Sequence, residues 1–457
     1  FNPLFAHDGG MTISRRHLLA GSAAASVMLA TPAKAAPLQP QGIDATQFGV
    51  QANAPGDQTR NLQRAIDQAA QAQAPLWLGS GLYRCGALTM RAGSQLIGVR
   101  GATRLALTQG PSLLSAQGAD SITLSGLTLD GGNLTLAPNG GLVNLVAAKN
   151  LRIADCTVLN ANGNGLGLLQ CSGEVSGNTF GNAADNALYC VDSTLTIRAI
   201  IIARSGNGGI RVWQSVKRHD GSLIEGNTID DTSARAGGDG QNGNAINVFR
   251  AGNVIVRGNM IARAAFTAIR GNAAANIQII GNHCGKLGEV AIYSEFDFEG
   301  AVIANNVVDG AAVGVSVTNF DKGGRLAVVQ GNLIRNLVAR RPQGGPDYAG
   351  VGIGIEADTA ATGNVIENAP GMGIAIGYGK FLRDVSVTGN VVRSAGIGIS
   401  VSVVPGARSA LIASNVIAGT RRGAIIGMEW DKVVTGDLAH GGSERFSHLR
   451  VSGNQVS

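Results

Sequence analysis

The chain has 457 residues, of which 67 are glycine and only 14% are charged. This composition favours a turn-rich β protein over a helical enzyme. The formal net charge of +6 is small for the length and argues against the concentrated basic surface of a nucleic-acid-binding protein. A chain this long usually divides into domains, but a solenoid grows as one domain by adding coils.

The first predicted element is an export signal. Arg15 and Arg16 precede an apolar stretch from Leu18 to Ala30, and the small-residue sequence "AKA" follows. This order resembles a twin-arginine (Tat) signal peptide cleaved after Ala35. Its apolar stretch is shorter than the roughly 20 residues of a membrane span. The resemblance implies that residues 1–35 are removed, and that the Tat translocon delivers a mature chain without a membrane anchor to the periplasm or the outside of the cell.

Residues 36–107 are predicted to form an N-terminal cap and the first coils of a repeat structure. Leu62, Ala65, Ile66, Ala69 and Ala70 recur at helical spacing, so an amphipathic helix is expected near this point of the chain. The helix should start near residue 57 or 59 and end before the proline at 75. A short helix over the first coil would shield an otherwise exposed strand edge.

A short phrase with a central asparagine recurs through the rest of the chain, residues 108–457. Examples are "SGNTF", "EGNTI" and "TGNVI". The central asparagines are Asn178, Asn227, Asn259, Asn282, Asn306, Asn332, Asn364, Asn390, Asn415 and Asn454, and weaker copies place Leu127, Cys156 and Ile200 in the same slot. Such self-similarity is the mark of a repeat architecture.

Each asparagine follows an alternating apolar triplet, and a second alternating run such as "GIRV", "AINV" or "GIGI" comes about ten residues later. A period of two with β-branched residues predicts short strands. Two or three strands in each repeat suit one coil of a parallel β-helix, in which stacked coils form a continuous core. We expect the asparagines to point inward and to hydrogen-bond from coil to coil. Their predicted role is therefore structural.

The cysteines give no sign of a disulfide framework or a metal site. There are five, and none lies in a CxxC pair. We expect mostly free, structural thiols, with Cys156 packed in the inward slot. No cofactor and no metal are predicted.

The cap and the repeat together resemble the pectin-lyase-like superfamily. The order of "FG", an acidic turn, a helix, an apolar strand, "GLY", "LTM" and "GSQLIGV" resembles the cap of that superfamily, and the resemblance covers nearly all of the mature chain. It implies a right-handed parallel β-helix of about a dozen coils, continuous with the cap. The chain also resembles Tat-translocated repeat proteins with this fold. Pectate lyases, polygalacturonases and alginate epimerases populate the superfamily, which implies an acidic polysaccharide as partner only by analogy of fold.

The signature motifs of these enzymes are absent from the sequence. There is no Gly-His-Gly of the polygalacturonase type and no Asp-Pro-His-Asp of the alginate-epimerase type. The four histidines after the presequence are scattered and show no metal-ligand spacing. Candidate site residues therefore have to come from the geometry of the predicted coils.

The second run of four consecutive coils predicts a binding face. If the isoleucines at 210, 246, 269 and 292 point inward, their neighbours point outward because side chains alternate along a strand. Arg211, Trp213, Asn247 and Phe249 are predicted to bind substrate, since aromatic rings stack on sugars and arginine pairs with a carboxylate in two contacts. The loops at residues 230–244 and 340–350 are expected to wall this groove.

The next two coils supply the candidate catalytic residues Arg270, Tyr293 and Glu295. In β-elimination, Arg270 or Arg211 would neutralise a uronate carboxylate, while Tyr293 or Glu295 would act as acid or base. Hydrolysis instead needs two carboxylates, and Asp231 or Asp239 could join Glu295. Lyase or epimerase chemistry is thus preferred to hydrolysis. We also expect that replacing Arg270 or Trp213 weakens binding without lowering stability.

Several alternatives stay open. The face could be an ordinary solvated sheet, a groove that only binds glycans, or part of a non-catalytic periplasmic scaffold that binds a glycan or a protein. Calcium could bind among Asp230, Asp231 and Asp239. The segment Glu429, Trp430 and Asp431 is interpreted as solvated loop and edge packing.

Overall fold

Three short strands follow one another in each repeat, and each strand pairs in parallel with its counterpart in the next repeat. The computed structural model describes residues 42–238, 240–318, 324–340 and 349–457. The predicted export signal lies outside these residues. Gly42–Ser457 form one unit, and the predicted division into cap and repeats stays a prediction. Within the described segments, no helix is long and apolar enough to cross a membrane.

The first column of strands precedes the asparagine slot. In the described residues it contains Ile43–Asp44, Leu76–Trp77, Gln95–Ile97, Thr123–Ser125, Leu151–Ala154, Ser172–Ser176, Thr194–Arg198, Leu223–Glu225, Ile255–Arg257, Ile277–Ile280, Glu299–Ala304, Arg325–Gln330, Thr359–Thr362, Val385–Thr388, Ala410–Ala413 and Leu449–Ser452.

The second column follows the slot. It contains Gly81–Cys85, Thr103–Leu107, Leu127–Asp130, Thr157–Leu159, Thr179–Ala183, Ile201–Ser205, Thr228–Thr232, Met260–Ala264, His283–Gly285, Val307–Asp309, Leu333–Arg335, Val416–Ala418 and Gln455–Val456. Two long strands, Val365–Ile376 and Val391–Ser402, run through both this column and the next one.

The third column completes the coil. It contains Leu88–Thr89, Leu114–Gln117, Gly141–Val146, Asn164–Leu169, Asn186–Val191, Gly208–His219, Asn244–Gly252, Ile269–Asn272, Val290–Glu295, Val313–Thr318, Val351–Ile355 and Ile425–Glu429. A final strand, Lys432–Asp437, pairs antiparallel with Ile425–Glu429. The short 3-10 turns are Ala45–Phe48, Gly379–Phe381, Leu438–His440 and Ser443–Arg445.

The core runs along the axis because the inward side chain of each strand stacks on that of the next coil. In the first column Ile224, Val256, Ile279 and Ile303 are aligned in register and fully buried. The fold is thus an all-β parallel solenoid of about 13 turns, as the repeat predicted. All five cysteines are free and buried, in agreement with their predicted structural role.

The asparagine slots point inward as predicted, and from Asn227 to Asn454 they form a continuous ladder of side-chain hydrogen bonds. In Asn282, Nδ2 donates to the carbonyl oxygen of Val256 (3.0 Å) and to Oδ1 of Asn306 (3.0 Å). Its Oδ1 accepts from the backbone nitrogen (3.0 Å) and Nδ2 (2.9 Å) of Asn259. The same pattern continues to Asn454. Each side-chain amide therefore hydrogen-bonds both to the neighbouring asparagine and to backbone groups. A buried polar group requires such partners.

The predicted cap helix spans Thr59–Gln71 and buries Leu62, Ala65, Ile66 and Ala69. Among the described residues it is the only α-helix. Asp57 lies just before it, and its Oδ1 accepts from the backbone nitrogen of Thr59 (2.9 Å). This contact satisfies one of the amide groups that a helix start leaves unpaired.

Asp358 is expected to make stability depend on acid pH. Arg383 donates to it through Nε (3.0 Å) and Nη2 (2.7 Å), and these contacts hold the pKa of the carboxyl below its ordinary value of about 3.9. A lowered folded-state pKa stabilises the fold above the ordinary pKa, and the stabilisation disappears as pH falls through the folded-state pKa. Asp358→Asn should therefore lower the free energy of unfolding by about 1–2 kcal/mol at neutral pH, with the difference vanishing in strong acid.

Denaturant unfolding from pH 7 down to pH 2 measures this difference. Asp384→Asn is the matched control, since Asp384 and its partner Arg408 are much more exposed and such pairs contribute little. A difference between Asp358→Asn and the natural chain that stays constant with pH would contradict the assignment.

Candidate functional site

The third column of strands carries two outward rows of side chains in the predicted register. In the first row Arg211 lies opposite Asn247, then Arg270 and Tyr293 follow. In the second row the aligned residues are Trp213, Phe249, Asn272 and Glu295. The intervening isoleucines at 210, 246, 269 and 292 are fully buried in the core. The register therefore brings the predicted site residues onto one face.

Three aromatic rings on successive coils form what we call the aromatic platform: Tyr189, Trp213 and Phe249. The ring centroids of Tyr189 and Trp213 lie 6.0 Å apart and those of Trp213 and Phe249 lie 5.5 Å apart, both edge to face. The three side chains are only partly buried. The Arg250 guanidinium lies 4.7 Å from the centre of the Phe249 ring. Partly exposed rings in contact, with a cation beside them, form a surface suited to ligand binding.

Tyr293, the aromatic residue among the predicted catalytic candidates, does not take part in this platform. It packs instead against a small cluster of buried residues that includes Val290, Val313 and Val351. Tyr189 takes the third position. It is one coil earlier, in a coil that the prediction did not include.

Arg211 is 6% exposed and has an unusual set of partners. Its Nη2 donates to the carbonyl oxygen of Gln241 (2.9 Å) and to Oδ1 of Asn242, and its Nε has no hydrogen-bond partner among the described residues. No carboxylate of the described segments forms an ion pair with it. Burial lowers the pKa of the Arg211 guanidinium, and the charge of Asp185 partly opposes that change. A positive charge thus lies directly below Trp213, 5.0 Å from the ring centre.

The loop before Asn244 covers this part of the face. The Gly240 carbonyl accepts from Nδ2 of Asn244 (3.0 Å) and of Asn247 (3.3 Å). A Cβ on Gly238 would lie 1.9 Å from the Phe266 ring, so the loop backbone rests directly on that ring. The loop was expected to stand beside the groove, but it lies over Arg211 and Asn247. Residues 341–348 of the second predicted wall lie outside the described residues.

Arg270, Tyr293 and Glu295 converge as predicted, but their contacts are with one another. Arg270 Nε donates to Glu295 Oε1 (2.6 Å), and Arg270 Nη1 lies 3.8 Å from Glu289 Oε2. Asn272 Nδ2 also donates to Glu295 Oε1 (2.8 Å), and the Glu295 side chain is only 1% exposed. The charge of Arg270 is therefore already matched within the protein.

Tyr293 lies below Arg270, whose guanidinium is 5.1 Å from the ring centre. Burial, with the charge of Glu295 second, raises the pKa of the Tyr293 hydroxyl. Raising that pKa favours the protonated form, which can give a proton but cannot take one. The assignment of these three residues as catalytic stays a prediction.

The acidic residues named for hydrolysis or calcium do not assemble with Glu295 in the described structure. Asp230 is paired with Arg263, and Asp231 is exposed. Asp239 lies outside the described residues. In the described segments no group of three histidine, cysteine or carboxylate side chains is placed to hold a metal ion.

A broad surface depression of about 1110 Å³ lies elsewhere, on the outer face of the last first-column strands. Val328, Ala360, Leu411 and Phe446 are among the residues that line it. None of the predicted site residues borders it. The predicted face is therefore an open surface, distinct from this depression.

Sequence reasoning missed three residues of the site: Tyr189, Arg250 and Glu289. Tyr189 lies in the outward row of Arg211, one coil earlier. Extending the predicted register upstream by one coil would have found it. Arg250 directly follows Phe249 and was detectable by its position. Glu289 lies just before its strand, outside the alternating pattern. No local sequence signal therefore indicated that it would lie near Arg270.

The repeated coils of the chain match a known family model. Residues 170–330 and 215–392 match the family model of the right-handed β-helix region. This match agrees with the parallel β-helix that the described coils form and with the predicted fold class.

Known proteins resemble the chain at low identity. The A-module of a mannuronan C-5 epimerase from Azotobacter vinelandii is 14% identical, with 91% of this chain and 99% of that chain covered and a TM-score of 0.46. The catalytic unit of an α-1,3-glucanase from Streptomyces thermodiastaticus is 15% identical, with 93% and 70% covered and a TM-score of 0.44. The surface adhesin PfbA of Streptococcus pneumoniae is 14% identical, with 91% and 97% covered and a TM-score of 0.42. No curated protein matches the chain.

Proposed function

We propose that the protein binds an acidic polysaccharide at the aromatic platform. The observation that carries the proposal is a row of three partly exposed rings whose last member, Phe249, lies beside Arg250. Arg250 is exposed; its Nη1 donates to the Ser215 carbonyl (3.0 Å), and it forms no ion pair with a described carboxylate. Sugar rings stack on aromatic faces, and an unpaired guanidinium suits the carboxylate of a uronate. The predicted Tat signal would bring this surface to the periplasm or the outside of the cell.

A second charge supports an anionic ligand. Arg211 lies beside the Trp213 ring and forms no ion pair with a carboxylate of the described segments, so it contributes positive potential to the platform that Asp185 offsets only in part. Because Arg211 is buried, this charge is poorly screened by solvent. We assign it a role in attraction of the ligand, with Arg250 as the direct contact.

Catalysis is the second candidate, and the convergence of Arg270, Tyr293 and Glu295 favours it. These residues would support a lyase or epimerase before a hydrolase. Binding is preferred because Glu295 is buried and its Oε1 already accepts two hydrogen bonds. A carboxylate held in this way stabilises Arg270 and has no free path to a substrate proton.

Trp213→Ala should weaken binding to polygalacturonate or alginate by about two- to tenfold, since an aromatic contact is worth about 0.5–1.5 kcal/mol beyond its area. Arg250→Gln should weaken binding to these acidic polymers but not to neutral dextran. Titration calorimetry of the full chain at two salt concentrations measures both effects. The salt dependence should be smaller for Arg250→Gln, because the lost contact is ionic.

Val216→Ala is the matched control for Trp213→Ala, since Val216 lies on the same strand and is 60% exposed. Its binding should equal that of the natural chain. Unchanged affinity in Trp213→Ala, at an unchanged melting temperature, would overturn the proposal. Ultraviolet absorbance of the same mixtures tests whether the protein is a lyase, because β-elimination produces an unsaturated uronate that absorbs in the ultraviolet.

A further inference from the structure

A second group of aromatic rings lies near the C-terminal end of the described chain, and we call it the Trp430 cluster: Tyr378, Phe381 and Trp430. The ring centroids of Tyr378 and Trp430 are 5.1 Å apart and those of Phe381 and Trp430 are 6.4 Å apart, both edge to face. Trp430 sits at the tip of the hairpin between Ile425–Glu429 and Lys432–Asp437, and it is 45% exposed. The sequence had suggested only edge packing for this segment.

Trp430 has a backbone conformation that tryptophan disfavours. Its φ is +53°, a region that bulky side chains avoid and that hairpin tips normally fill with asparagine or glycine. The ring lies against the backbone of Gly379, where an added Cβ would be 2.2 Å from it. Backbone strain of this kind persists only where the surroundings enforce it. The ring is therefore fixed before any ligand arrives, yet nearly half of it faces solvent.

The Trp430 cluster repeats the composition of the aromatic platform. Lys380 Nζ lies 5.9 Å from the centre of the Phe381 ring, as Arg250 lies over Phe249. Lys380 is exposed and forms no ion pair with a carboxylate of the described residues. Asp431, on the same hairpin, accepts from the Tyr378 hydroxyl (3.3 Å). Both surfaces thus combine edge-to-face rings with an unpaired cation.

The two surfaces lie on the same side of the coils. Tyr378 follows the strand that ends at Ile376, and this strand is linked to the Trp213 strand by six successive parallel pairings. Trp213 and Phe249 lie within their own third-column strands, Gly208–His219 and Asn244–Gly252. At about 4.8 Å for each strand spacing, the surfaces are roughly 29 Å apart along the axis.

We infer that the Trp430 cluster is a second sugar-binding subsite, which engages the same acidic polymer as it runs along the axis of the solenoid. The inference rests on the proposed function and adds the class of ligand: a polymer long enough to reach both subsites. Binding at one subsite raises the effective concentration of the chain at the other, so the polymer gains affinity that a short oligosaccharide cannot. The recurrence of ring and cation at both places carries the inference.

The test uses Trp430→Asn, because asparagine accepts positive φ and removes the ring without straining the turn. Calorimetry of the full chain compares a long polygalacturonate with trigalacturonate. Trp430→Asn should weaken binding of the polymer by about tenfold and leave trigalacturonate unchanged. Lys380→Gln should weaken binding of the polymer in the same direction. Val433→Ala, on the same hairpin and 50% exposed, is the control that should change neither.

The outcomes separate the two hypotheses. If Trp213→Ala weakens both ligands but Trp430→Asn and Lys380→Gln weaken neither, the second subsite is wrong and the proposed function stands. If Trp213→Ala changes neither ligand, the proposed function itself fails. Weaker trigalacturonate binding in Trp430→Asn would also overturn the inference, because the two surfaces would then act as one site. Lys380→Gln keeps the test decisive if Trp430→Asn lowers the melting temperature.

Discussion

Asn282→Leu should lower the free energy of unfolding by about 3–5 kcal/mol, the largest effect expected of any single replacement in the ladder. Leucine has a similar volume but removes the acceptor of the Asn259 backbone nitrogen and Asn259 Nδ2. The carbonyl of Val256 also loses its donor. Each buried group left unpaired costs about 1–3 kcal/mol, and the site is only 1% exposed.

Chemical denaturation followed by circular dichroism measures this loss. Gln278→Leu is the matched control, since Gln278 is an exposed amide on the same coil. It should change the free energy of unfolding by less than about 0.5 kcal/mol. Equal stability of the two variants would mean that the ladder does not stabilise the solenoid.

Glu295→Leu should be the second most damaging change, with an expected loss of about 3–5 kcal/mol. It leaves the Arg270 guanidinium, whose side chain is 12% exposed, with only Glu289 at 3.8 Å. It also removes the acceptor of Asn272. A buried charge that has lost its partner lowers the free energy of unfolding more than the replacement of both charges by apolar residues. Arg270→Leu combined with Glu295→Leu should therefore recover a large part of the stability.

Glu299→Leu provides the control for this ion pair. Glu299 begins the next first-column strand and pairs with Arg325 at 3.3 Å, but both side chains are about half exposed. Its loss should cost at most about 1 kcal/mol. A single Glu295→Leu variant as stable as Glu299→Leu would contradict a structural role and would return Glu295 to the list of catalytic candidates.

The same contacts change what is expected of Arg270. From sequence, its replacement should have weakened binding without affecting stability. In the structure, Arg270→Ala would leave Glu295 buried without its main donor, so stability should fall as well. Trp213 keeps the original expectation, because its ring is only partly buried and Nε1 makes one long contact, 3.3 Å to Asn247.

Much of the fold could be predicted from the sequence because its signals are local and repeated. The asparagine slots and the alternation of side chains specify which residues point inward, and a ladder in register then aligns each outward residue with its counterpart one coil later. This is why Arg211 and Asn247, or Trp213 and Phe249, could be placed side by side without coordinates. The helix of the cap was equally accessible, because its apolar face follows the 3.6-residue period.

The sequence by itself determined the coils, the ladder and the rows of outward residues, all of which follow from periodic patterns. Only the tertiary structure decided what those residues contact: the pairing of Arg270 with Glu295, the loop over Arg211, and the meeting of Trp430 with Tyr378. These contacts join segments of different coils and loops, whose separation along the chain has no fixed period. They depend on the length and packing of each loop and side chain, so no local pattern encodes them.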